Sequence, residues 1–594
     1  MVSRVLQEIA LFLELKGESS FKSRAYYNAA RTLEQMGAAE LHRLVQEDRL
    51  KDIQGIGTAL NDKIKELVLT GRLSYYDELK DSIPEGLLEM LKVPGLGPKK
   101  IKALHETLGI TTLGELEYAC KENRLVSLKG FGPKTQENVI KGIEFVRRSQ
   151  GLFFYSEASR VAAGLLESLQ DFPAMEEISL AGSIRRCKEI VKDIDLVCST
   201  GDPIGLSGFF AGLSAVEEVI ARGETKVSVR LQEGINADLR IVRPGEFPFA
   251  LHHFTGSKEH NTAMRHRAKK MGLKMNEYGL FPVEDEGAEP GDRNRTRSLQ
   301  GAGSGVEKAR ADASQVRSEG DLFLALGLAY IPPELRENHG EIEAAEKGAL
   351  PQLVEQEDIR GIFHIHTVYS DGVNTLEEVV RSCRDKGYAY VGISDHSQSA
   401  FYAGGLKEND LKRQLEEIER LREQYPEIAI FKGVESDIRG DGSLDYPDAI
   451  LEQLDFVIAS VHSGLNMARE KMTGRLLQAL THPRVTMLGH PTGRILLGRE
   501  EYALDLEKVL EKAQEKGVIL ELNASPARLD LDWRHLKKAK EMGLLVSINP
   551  DAHGLGELAD TDLGVAMARK GWLEKKDVFN TRSRQEVEKY LRDR

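Results

Sequence analysis

The chain has 594 residues, of which 41% are hydrophobic and 29% are charged, an ordinary soluble composition with room for several domains. It contains no apolar run long enough to cross a membrane and no N-terminal signal-peptide pattern, so we expect a cytoplasmic protein. Its four cysteines lie far apart without a Cys-x-x-Cys pair, which argues against both a disulfide framework and a cysteine-bound zinc ion.

Three glycine motifs recur in the first 150 residues, which are nearly neutral although the whole chain has a net charge of −13. Each motif reads apolar-x-Gly-apolar-Gly and leads into an amphipathic helix. The glycines let the backbone approach a ligand and leave N–H groups free at a helix start, which suits the phosphates of a DNA backbone. A single copy could be a plain helix–helix turn, but three copies with one spacing predict DNA binding. The motifs are IQGIG (53–57), VPGLG (93–97) and LKGFG (128–132), with glycines Gly55, Gly57, Gly95, Gly97, Gly130 and Gly132.

The segment LAGSIRRCKEIVKDIDLV (180–197) combines a phosphate-binding pattern with paired carboxylates. Gly182 and Ser183 predict a tight turn with exposed N–H groups, and the two arginines after them suit a triphosphate. Asp193 and Asp195 fall in an apolar run that predicts a strand, so both point to the same face. Two such carboxylates repel each other unless a cation such as Mg²⁺ lies between them. The alternative is an edge strand with two solvated aspartates.

A second carboxylate-bearing strand is predicted downstream. The runs TKVSVRL (225–231) and NADLRIVRP (236–244) predict a hairpin in which Asp238 alternates with core positions. Asp238 can therefore face the same way as the first two aspartates, and three carboxylates on adjacent strands predict a two-cation site. The block HHFTGSKEHNTAMRHRAKKMGLKMNEYGL (252–280) follows; its basic residues alone would indicate only a solvated helix face.

After a charged connector (341–361) the pattern changes to short apolar runs that alternate with amphipathic helices, which is typical of βα units. Seven runs end in side chains that can bind metal, and six of the eight histidines after residue 341 close such a run. A βα barrel places its chemistry at the carboxyl ends of its strands, and two imidazoles on one strand face suit Zn²⁺ or Mn²⁺. The side chains at the run ends are His364 and His366, His396, Glu435, His462, His490, Asn523, and Asp551 with His553.

Taken in chain order, these motifs resemble the bacterial family X DNA polymerases, in which a polymerase beta-like core precedes a polymerase and histidinol phosphatase (PHP) domain. The resemblance covers nearly the whole chain. It implies a multidomain fold with an α-helical helix–hairpin–helix N-terminal region, an α+β palm and thumb, and a C-terminal α/β PHP domain that is a distorted seven-stranded (βα)7 barrel. The implied domains are a helical DNA-binding and lyase-like domain (1–80), a helix–hairpin–helix fingers-type domain (81–150), the nucleotidyltransferase palm (151–250), a thumb-type domain (251–340) with a mobile loop at 284–317, and the PHP domain (341–594).

The resemblance also implies roles in a polymerase site. Asp193 and Asp195 bind two Mg²⁺ or Mn²⁺ ions, while Asp238 binds the catalytic ion and takes the proton of the primer 3′-OH. Arg265 matches a contact to the template strand. His253 stands where eukaryotic members carry a tyrosine, so sugar discrimination at this position does not carry over. Nucleotide binding is implied for Gly182, Ser183, Arg186, Phe254, Gly256 and Asn261.

Two lysines of the N-terminal region match positions of a 5′-deoxyribose-phosphate lyase. Lys63 lies where the family forms a Schiff base with an abasic sugar, and Lys22 lies where it contacts a 5′-phosphate. Such a lyase requires an amine that is partly deprotonated beside a DNA phosphate. Two interpretations stay open for Lys63, either as a catalytic nucleophile or as one more lysine that neutralises phosphate.

In the PHP domain, every ligand position of the family's trinuclear site is filled. The resemblance therefore implies up to three Mn²⁺ or Zn²⁺ ions and metal-assisted hydrolysis of phosphoesters. In bacterial members this is a 3′–5′ exonuclease, in some cases with abasic-site endonuclease or 3′-phosphatase activity. The nine implied ligands are His364, His366, Asp371, His396, Glu435, His462, His490, Asp551 and His553.

We therefore predict a monomeric repair polymerase of base excision repair. It would fill short gaps in gapped or primer–template DNA with dNTPs, trim 3′ ends, and have no membrane partner. Two alternatives remain. The PHP nuclease or phosphatase could be the principal activity, or the chain could be a scaffold that binds DNA ends. The complete sets of aspartates and metal ligands argue against the scaffold.

Overall fold

A computed structural model describes residues 2–53, 55–121, 125, 128, 130–149, 151–283, 315–497 and 500–594. The mobile loop predicted at 284–317 lies outside the described residues except for its last three positions. The chain divides into two compact units, of which residues 1–150 form most of the first and nearly all of the remainder forms the second. Among the helices of the described residues, none combines the length and the apolar character that crossing a membrane requires.

The first unit consists of helices around one apolar core. Leu6, Ile9 and Leu13 of the first helix are buried in the same cluster as Ala29 and Ala30 of the second. These residues recur at helical spacing, so each helix turns one apolar face inward. The helices are Val2–Leu15, Ser20–Glu34, Ala38–Gln46, Thr58–Thr70, Ser74–Asp81, Glu85–Met90, Pro98–Leu108, Leu113–Lys121 and Pro133–Ser149.

The second unit begins with a five-stranded sheet in the order β2-β4-β7-β6-β5. β4 pairs with β7 in parallel and with β2 in antiparallel fashion, so β4 is an interior strand, and the alternative of an edge strand is wrong. Ile194 and Leu196 of β4 are fully buried, as the alternating pattern predicts. The strands are β1 (Phe153–Phe154), β2 (Met175–Leu180), β3 (Ile190–Val191), β4 (Asp193–Thr200), β5 (Val216–Arg222), β6 (Lys226–Leu231) and β7 (Asn236–Val242), and the helices are Tyr155–Gln170, Gly182–Arg185 and Pro203–Ala211.

A helical subregion with a small hairpin follows the sheet. The segment predicted as a charged connector is packed against it rather than solvated. Glu341 is fully buried and accepts a hydrogen bond of 2.7 Å from His260 Nδ1, and Ile342 and Ala345 join the apolar cluster of this subregion. The helices are Phe247–Thr255, Lys258–Lys270, Glu319–Ala325 and Glu341–Glu346, and the hairpin consists of β8 (Leu273–Asn276) and β9 (Gly279–Pro282).

The C-terminal part is a barrel of seven parallel strands that follow one another in chain order. Its two outer strands approach each other where Ile365 bridges Ala552 in parallel and His366 N–H donates to the Ala552 carbonyl at 2.8 Å. The barrel is therefore nearly closed, which confirms the predicted seven-stranded α/β fold. The strands are β10 (Gly361–Ile362), β11 (Tyr390–Ile393), β12 (Ala429–Asp437), β13 (Phe456–Ser460), β14 (Met487–Leu488), β15 (Ile519–Asn523) and β16 (Val546–Asn549), and the helices are Leu376–Asp385, Glu408–Gln424, Asp448–Leu451, Arg469–Leu480, Leu506–Lys516, Trp533–Glu541, Thr561–Lys570 and Arg584–Asp593.

Candidate active sites

Three carboxylates lie on one face of the five-stranded sheet. Asp195 of β4 is the direct partner of Asp238 on β7, and Asp193 lies two residues before Asp195 and so shares its face. Lys226 Nζ lies 2.6 Å from Asp238 Oδ2. The structure therefore brings together the three aspartates that the sequence predicts.

The two aspartates of β4 have raised pKa values. Burial, followed by the charges of Asp193 and Asp238, raises the pKa of Asp195 to about 7. Burial and the charge of Asp238 also raise the pKa of Asp193. Carboxylates that resist ionising side by side are stabilised by a divalent cation, so these residues fit Mg²⁺ or Mn²⁺.

Gly182 places the turn after β2 directly against Asp195. Its φ is +60°, and a Cβ at this position would lie 2.0 Å from Asp195 Oδ2. Glycine is therefore needed for close approach to the carboxylate as well as for the turn. Ser183 follows, half-buried, within the short helix Gly182–Arg185.

Arg185 joins the sheet to the helical subregion. Its guanidinium donates to Thr255 Oγ1 at 2.7 Å and to Glu319 Oε2 at 2.5 Å. The other oxygen of Glu319 accepts from Arg336 at 2.6 Å. These groups are mostly buried, so charge-assisted hydrogen bonds fix the two subregions relative to each other.

Arg186, predicted to bind the triphosphate, lies at the same junction. Its Nε donates to Glu337 Oε1 at 3.1 Å, and its Nη1 donates to the Thr255 carbonyl. A Cβ at Gly256 would lie 3.1 Å from that Nη1, so the predicted nucleotide residue Gly256 leaves room for the arginine. The sequence did not reveal Glu337 as its partner.

The remaining predicted nucleotide and template residues lie near the end of the helix Phe247–Thr255 and on the next helix. The Phe254 ring packs against the Arg240 guanidinium, with 4.7 Å between the ring centre and the guanidinium carbon. Asn261 Nδ2 donates to the His253 carbonyl at 2.7 Å, and its Oδ1 is buried without a hydrogen bond among the described residues. Arg265 is exposed.

The first unit carries the predicted DNA-binding residues. The first glycine of each motif has a φ between +81° and +91°, and a helix begins directly after the second glycine, at Thr58, Pro98 and Pro133. A Cβ at any of the six glycines would have no atom within 4 Å. Lys63 is half-buried, with Nζ 4.6 Å from the Tyr75 ring centre. Lys22 is exposed.

The nine predicted metal ligands converge at the carboxyl ends of the barrel strands. Three groups of them have ligand atoms within 4.8 Å of one another, and His490 Nε2 joins them at 2.9 Å from Glu435 Oε1. The groups are His366, Asp371, His396 and His553; His364, His366 and Asp551; and His396, Glu435 and His462.

The barrel site has donor atoms that suit divalent cations. His364 Nε2, His366 Nδ1 and Glu435 Oε2 are buried and make no hydrogen bond among the described residues. Buried polar atoms without partners are costly, and imidazole nitrogens with carboxylate oxygens are ligands of Mn²⁺ and Zn²⁺. The residues therefore fit metal ions at this place.

Histidines and carboxylates of the barrel site shift one another's pKa. Burial lowers the pKa of His364, but Glu521, Asp551 and Glu435 outweigh it and raise that pKa well above its usual value. Burial also lowers the pKa of His553, but the hydrogen bond with Asp371 and the charges of Asp551 and Asp371 outweigh it and raise that pKa to about 9. Burial shifts other imidazoles of the site the opposite way and lowers the pKa of His366 to about 4. A cation would therefore displace protons only from the imidazoles whose pKa is raised.

Two buried carboxylates that the sequence analysis did not single out, Glu521 and Asp437, form hydrogen bonds with two of the predicted ligand histidines. His364 Nδ1 lies 2.5 Å from Glu521 Oε1, and His462 Nδ1 donates to Asp437. Asn523, one of the predicted run ends, donates to Glu521 at 3.2 Å and to the proposed ligand Asp551 at 3.0 Å. Glu521 lies two residues before the run end Asn523, and Asp437 lies two residues after the run end Glu435, so each shares a strand face with its run end. This spacing is the sequence pattern that could have identified them. Such partners orient metal-bound imidazoles.

Models of known domain families match several parts of the chain. Together they cover regions of the helical unit, the subregion after the sheet, and most of the barrel. The matches are a helix-hairpin-helix domain at residues 2–73, a SAM-like helix-hairpin-helix tandem at 87–144, a DNA polymerase beta thumb at 250–337 and a PHP domain at 363–525.

One curated relative matches the whole chain, and others match little more than a third of it. The DNA polymerase/3′-5′ exonuclease PolX of Bacillus subtilis (strain 168) is 38% identical over 593 residues, which cover 100% of this chain and 99% of the relative. A probable phosphatase of Caldanaerobacter subterraneus subsp. tengcongensis is 31% identical over 248 residues, or 39% of this chain and 90% of the relative. A probable phosphatase of Vibrio parahaemolyticus is 28% identical over 235 residues, which cover 37% of this chain and 89% of the relative. The full-length match and the family models show that the chain belongs to the PolX family of bacterial family X DNA polymerases with a C-terminal PHP domain.

Proposed function

We propose that the protein is a DNA repair polymerase that fills short gaps, as in base excision repair, and trims 3′ ends at its PHP site. The observation that carries the proposal is the pairing of Asp195 with Asp238 across β4 and β7, with Asp193 on the same face. A carboxylate cluster of this kind suits nucleotidyl transfer. The barrel ligands in the same chain support a separate hydrolytic site.

In the polymerase reaction, the three aspartates would hold Mg²⁺ or Mn²⁺. Such ions would supply charge that lowers the pKa of the primer 3′-OH and compensates the negative charge of the triphosphate and of the departing pyrophosphate. The Asp238 carboxylate accepts the proton of the 3′-OH. The remaining site residues bind and orient the dNTP and template, namely Gly182, Ser183, Arg186, Phe254, Gly256 and Asn261 for the nucleotide and Arg265 for the template strand.

In the PHP reaction, the nine barrel ligands would hold up to three Mn²⁺ or Zn²⁺ ions, which activate water for attack on a phosphoester. Glu521 and Asp437 fix the orientation of two of the ligand imidazoles. Hydrolysis of the last phosphodiester gives 3′–5′ exonuclease activity. The same site chemistry extends to abasic-site cleavage and to removal of a 3′-phosphate.

The helical unit binds DNA by contacts with the phosphate backbone of the DNA. Space around the six motif glycines is open, and the N–H groups at the following helix starts suit phosphate oxygens. We propose gapped or primer–template DNA as the partner of a monomer that acts in the cytoplasm. The proposed domains are 1–80, 81–150, 151–250, 251–340 and 341–594.

A gap-filling assay tests the proposal. With Mg²⁺ and dNTPs, the purified chain is expected to extend a primer across a one-nucleotide gap. With Mn²⁺ and no dNTPs, it is expected to shorten the 3′ end. Product length on a denaturing gel reports both reactions. Absence of extension on every gapped substrate would leave the PHP phosphoesterase as the principal activity.

Lys63 provides a separate test of lyase activity. If its amine forms a Schiff base with an abasic sugar, borohydride is expected to trap the protein on 5′-incised abasic DNA, and Lys63→Ala is expected to remove the trapped species. Lys65→Ala is the matched control, because Lys65 lies on the same helix and pairs with Asp48. Trapping that survives Lys63→Ala would show that Lys63 only neutralises phosphate.

The second candidate is a phosphoesterase in which the barrel is the principal activity. The two relatives that match over 248 and 235 residues, which cover 90% and 89% of their own length, carry the name probable phosphatase. This candidate predicts release of phosphate from a 3′-phosphorylated primer at a higher rate than nucleotide addition. Comparing the two rates on one DNA substrate decides between the candidates.

A further inference from the structure

A lysine of the barrel domain reaches the polymerase site. Lys570 is the last residue of the helix Thr561–Lys570, and its side chain is completely buried. Its Nζ donates to the Arg186 carbonyl at 2.7 Å and to Glu337 Oε1 at 2.7 Å. The lysine thus contacts the backbone of a residue that we assign to triphosphate binding.

The same lysine acts on the Arg186 side chain through Glu337. Glu337 Oε1 accepts from both Lys570 Nζ and Arg186 Nε, the latter at 3.1 Å. Lys188 Nζ lies 3.7 Å from the other oxygen, Oε2. One carboxylate is therefore shared by three cations, and two of its hydrogen bonds fix the position of the Arg186 guanidinium relative to the barrel.

The charge balance at this junction favours an anionic ligand. Without Lys570, Glu337 would neutralise much of the Arg186 charge, and the carboxylate would compete with a phosphate for the guanidinium. With Lys570 and Lys188 bound to the same carboxylate, the group of three cations and one anion keeps a net positive charge. A buried lysine is costly to desolvate, and here a carboxylate, a backbone carbonyl and the Trp533 ring, 4.6 Å away, offset that cost.

We propose that Lys570 is a positioning residue of the polymerase site, through which the nuclease domain keeps Arg186 oriented and available for the triphosphate of the incoming dNTP. The proposal rests on the nucleotide-binding role proposed above for Arg186. Arg534 provides a comparison, because this barrel cation faces the palm residue Glu189 at 3.8 Å and pairs with Asp532. It packs on the same Trp533 ring as Lys570, at 4.9 Å, but its ion pairs are with Glu189 and Asp532 rather than with Glu337.

The test compares Lys570→Met with the matched control Arg534→Met in the full-length chain. Steady-state filling of a one-nucleotide gap gives KM for the dNTP and kcat, and Mn²⁺-dependent 3′-end digestion reports the PHP site. We expect Lys570→Met to raise KM about tenfold, the order of one charged hydrogen bond, with a smaller change in kcat and with wild-type digestion. Arg534→Met is expected to leave KM unchanged.

A second variant, Lys570→Gln, keeps a hydrogen-bond donor but loses the charge. It is expected to raise KM as well, and it replaces the Met variant if that variant does not fold.

A double substitution distinguishes positioning from general loosening of the domains. If Lys570 acts through Arg186, adding Lys570→Met to Arg186→Ala is expected to raise KM less than about twofold further, because coupled residues are not additive. A full tenfold increase in the double variant, a wild-type KM in the Lys570 variants, or an equal effect of Arg534→Met would each overturn the proposal. A wild-type chain that adds no nucleotide would instead refute the proposed polymerase function.

Discussion

Replacing Asp193 and Asp195 together with asparagine is expected to reduce nucleotide addition by about a thousandfold or more, since both carboxylates would hold the ions that assist the transfer. Mn²⁺-dependent shortening of 3′ ends is expected to continue at the wild-type rate, because the barrel ligands form a separate set. Gap filling and 3′-end digestion are measured on the same labelled DNA.

Loss of folding does not account for the expected result. The pKa of Asp195 is raised to about 7, so its ionised form destabilises the metal-free native state, and this cost grows as pH rises from the unfolded pKa toward 7. The asparagine variant is therefore expected to unfold at the same or a higher temperature at neutral pH. Glu176→Gln, an exposed carboxylate on β2 of the same sheet, is the control. If digestion disappears together with nucleotide addition, the two sites are not independent.

Replacing His366 with asparagine is expected to abolish 3′-end digestion and to leave gap filling intact. His366 belongs to two of the three metal-ligand groups, so its loss weakens binding of more than one ion. Elemental analysis of the purified protein is expected to show reduced Mn²⁺ or Zn²⁺ content. Glu521→Gln, which alters the partner of His364, is expected to weaken metal affinity by roughly 10- to 100-fold.

His482→Asn is the matched control for this variant. His482 lies in the same domain but pairs with exposed Asp448 at 3.1 Å, away from the nine ligands. Its replacement is expected to preserve both digestion and metal content. Retained digestion in His366→Asn would refute the assignment of the barrel ligands to the nuclease.

The convergence of the run-end side chains in the barrel was predictable because strand periodicity carries the necessary information. Asp371 and the role of the nine residues as metal ligands came from the family resemblance and stay predictions. Each ligand run is a short apolar stretch that ends in a histidine or a carboxylate, and strand ends meet at one end of a barrel. The palm aspartates were predictable for a similar reason, since period-two alternation places Asp193 and Asp195 on one face. In both cases the predictive pattern lies within a few residues.

Contacts between distant segments were not predictable in this way. Glu319 and Arg336 look like ordinary surface charges in the sequence, yet both are buried with Arg185. Glu341 belongs to the segment that the sequence predicts as a charged connector, yet it is buried against His260. Burial of a charged residue depends on which partner the fold places beside it, and sequence spacing does not specify such a partner.

The near closure of the barrel has a consequence for synthesis of the chain. His364 contacts Glu521 across 157 residues, and His366 contacts Asp551 across 185 residues. Contacts between such distant positions form late, after the intervening strands are in place. A nascent chain can therefore complete its palm sheet while the ribosome is still making the barrel. The barrel site includes Asp551 and His553, which follow its strand β16, so it assembles after the palm sheet.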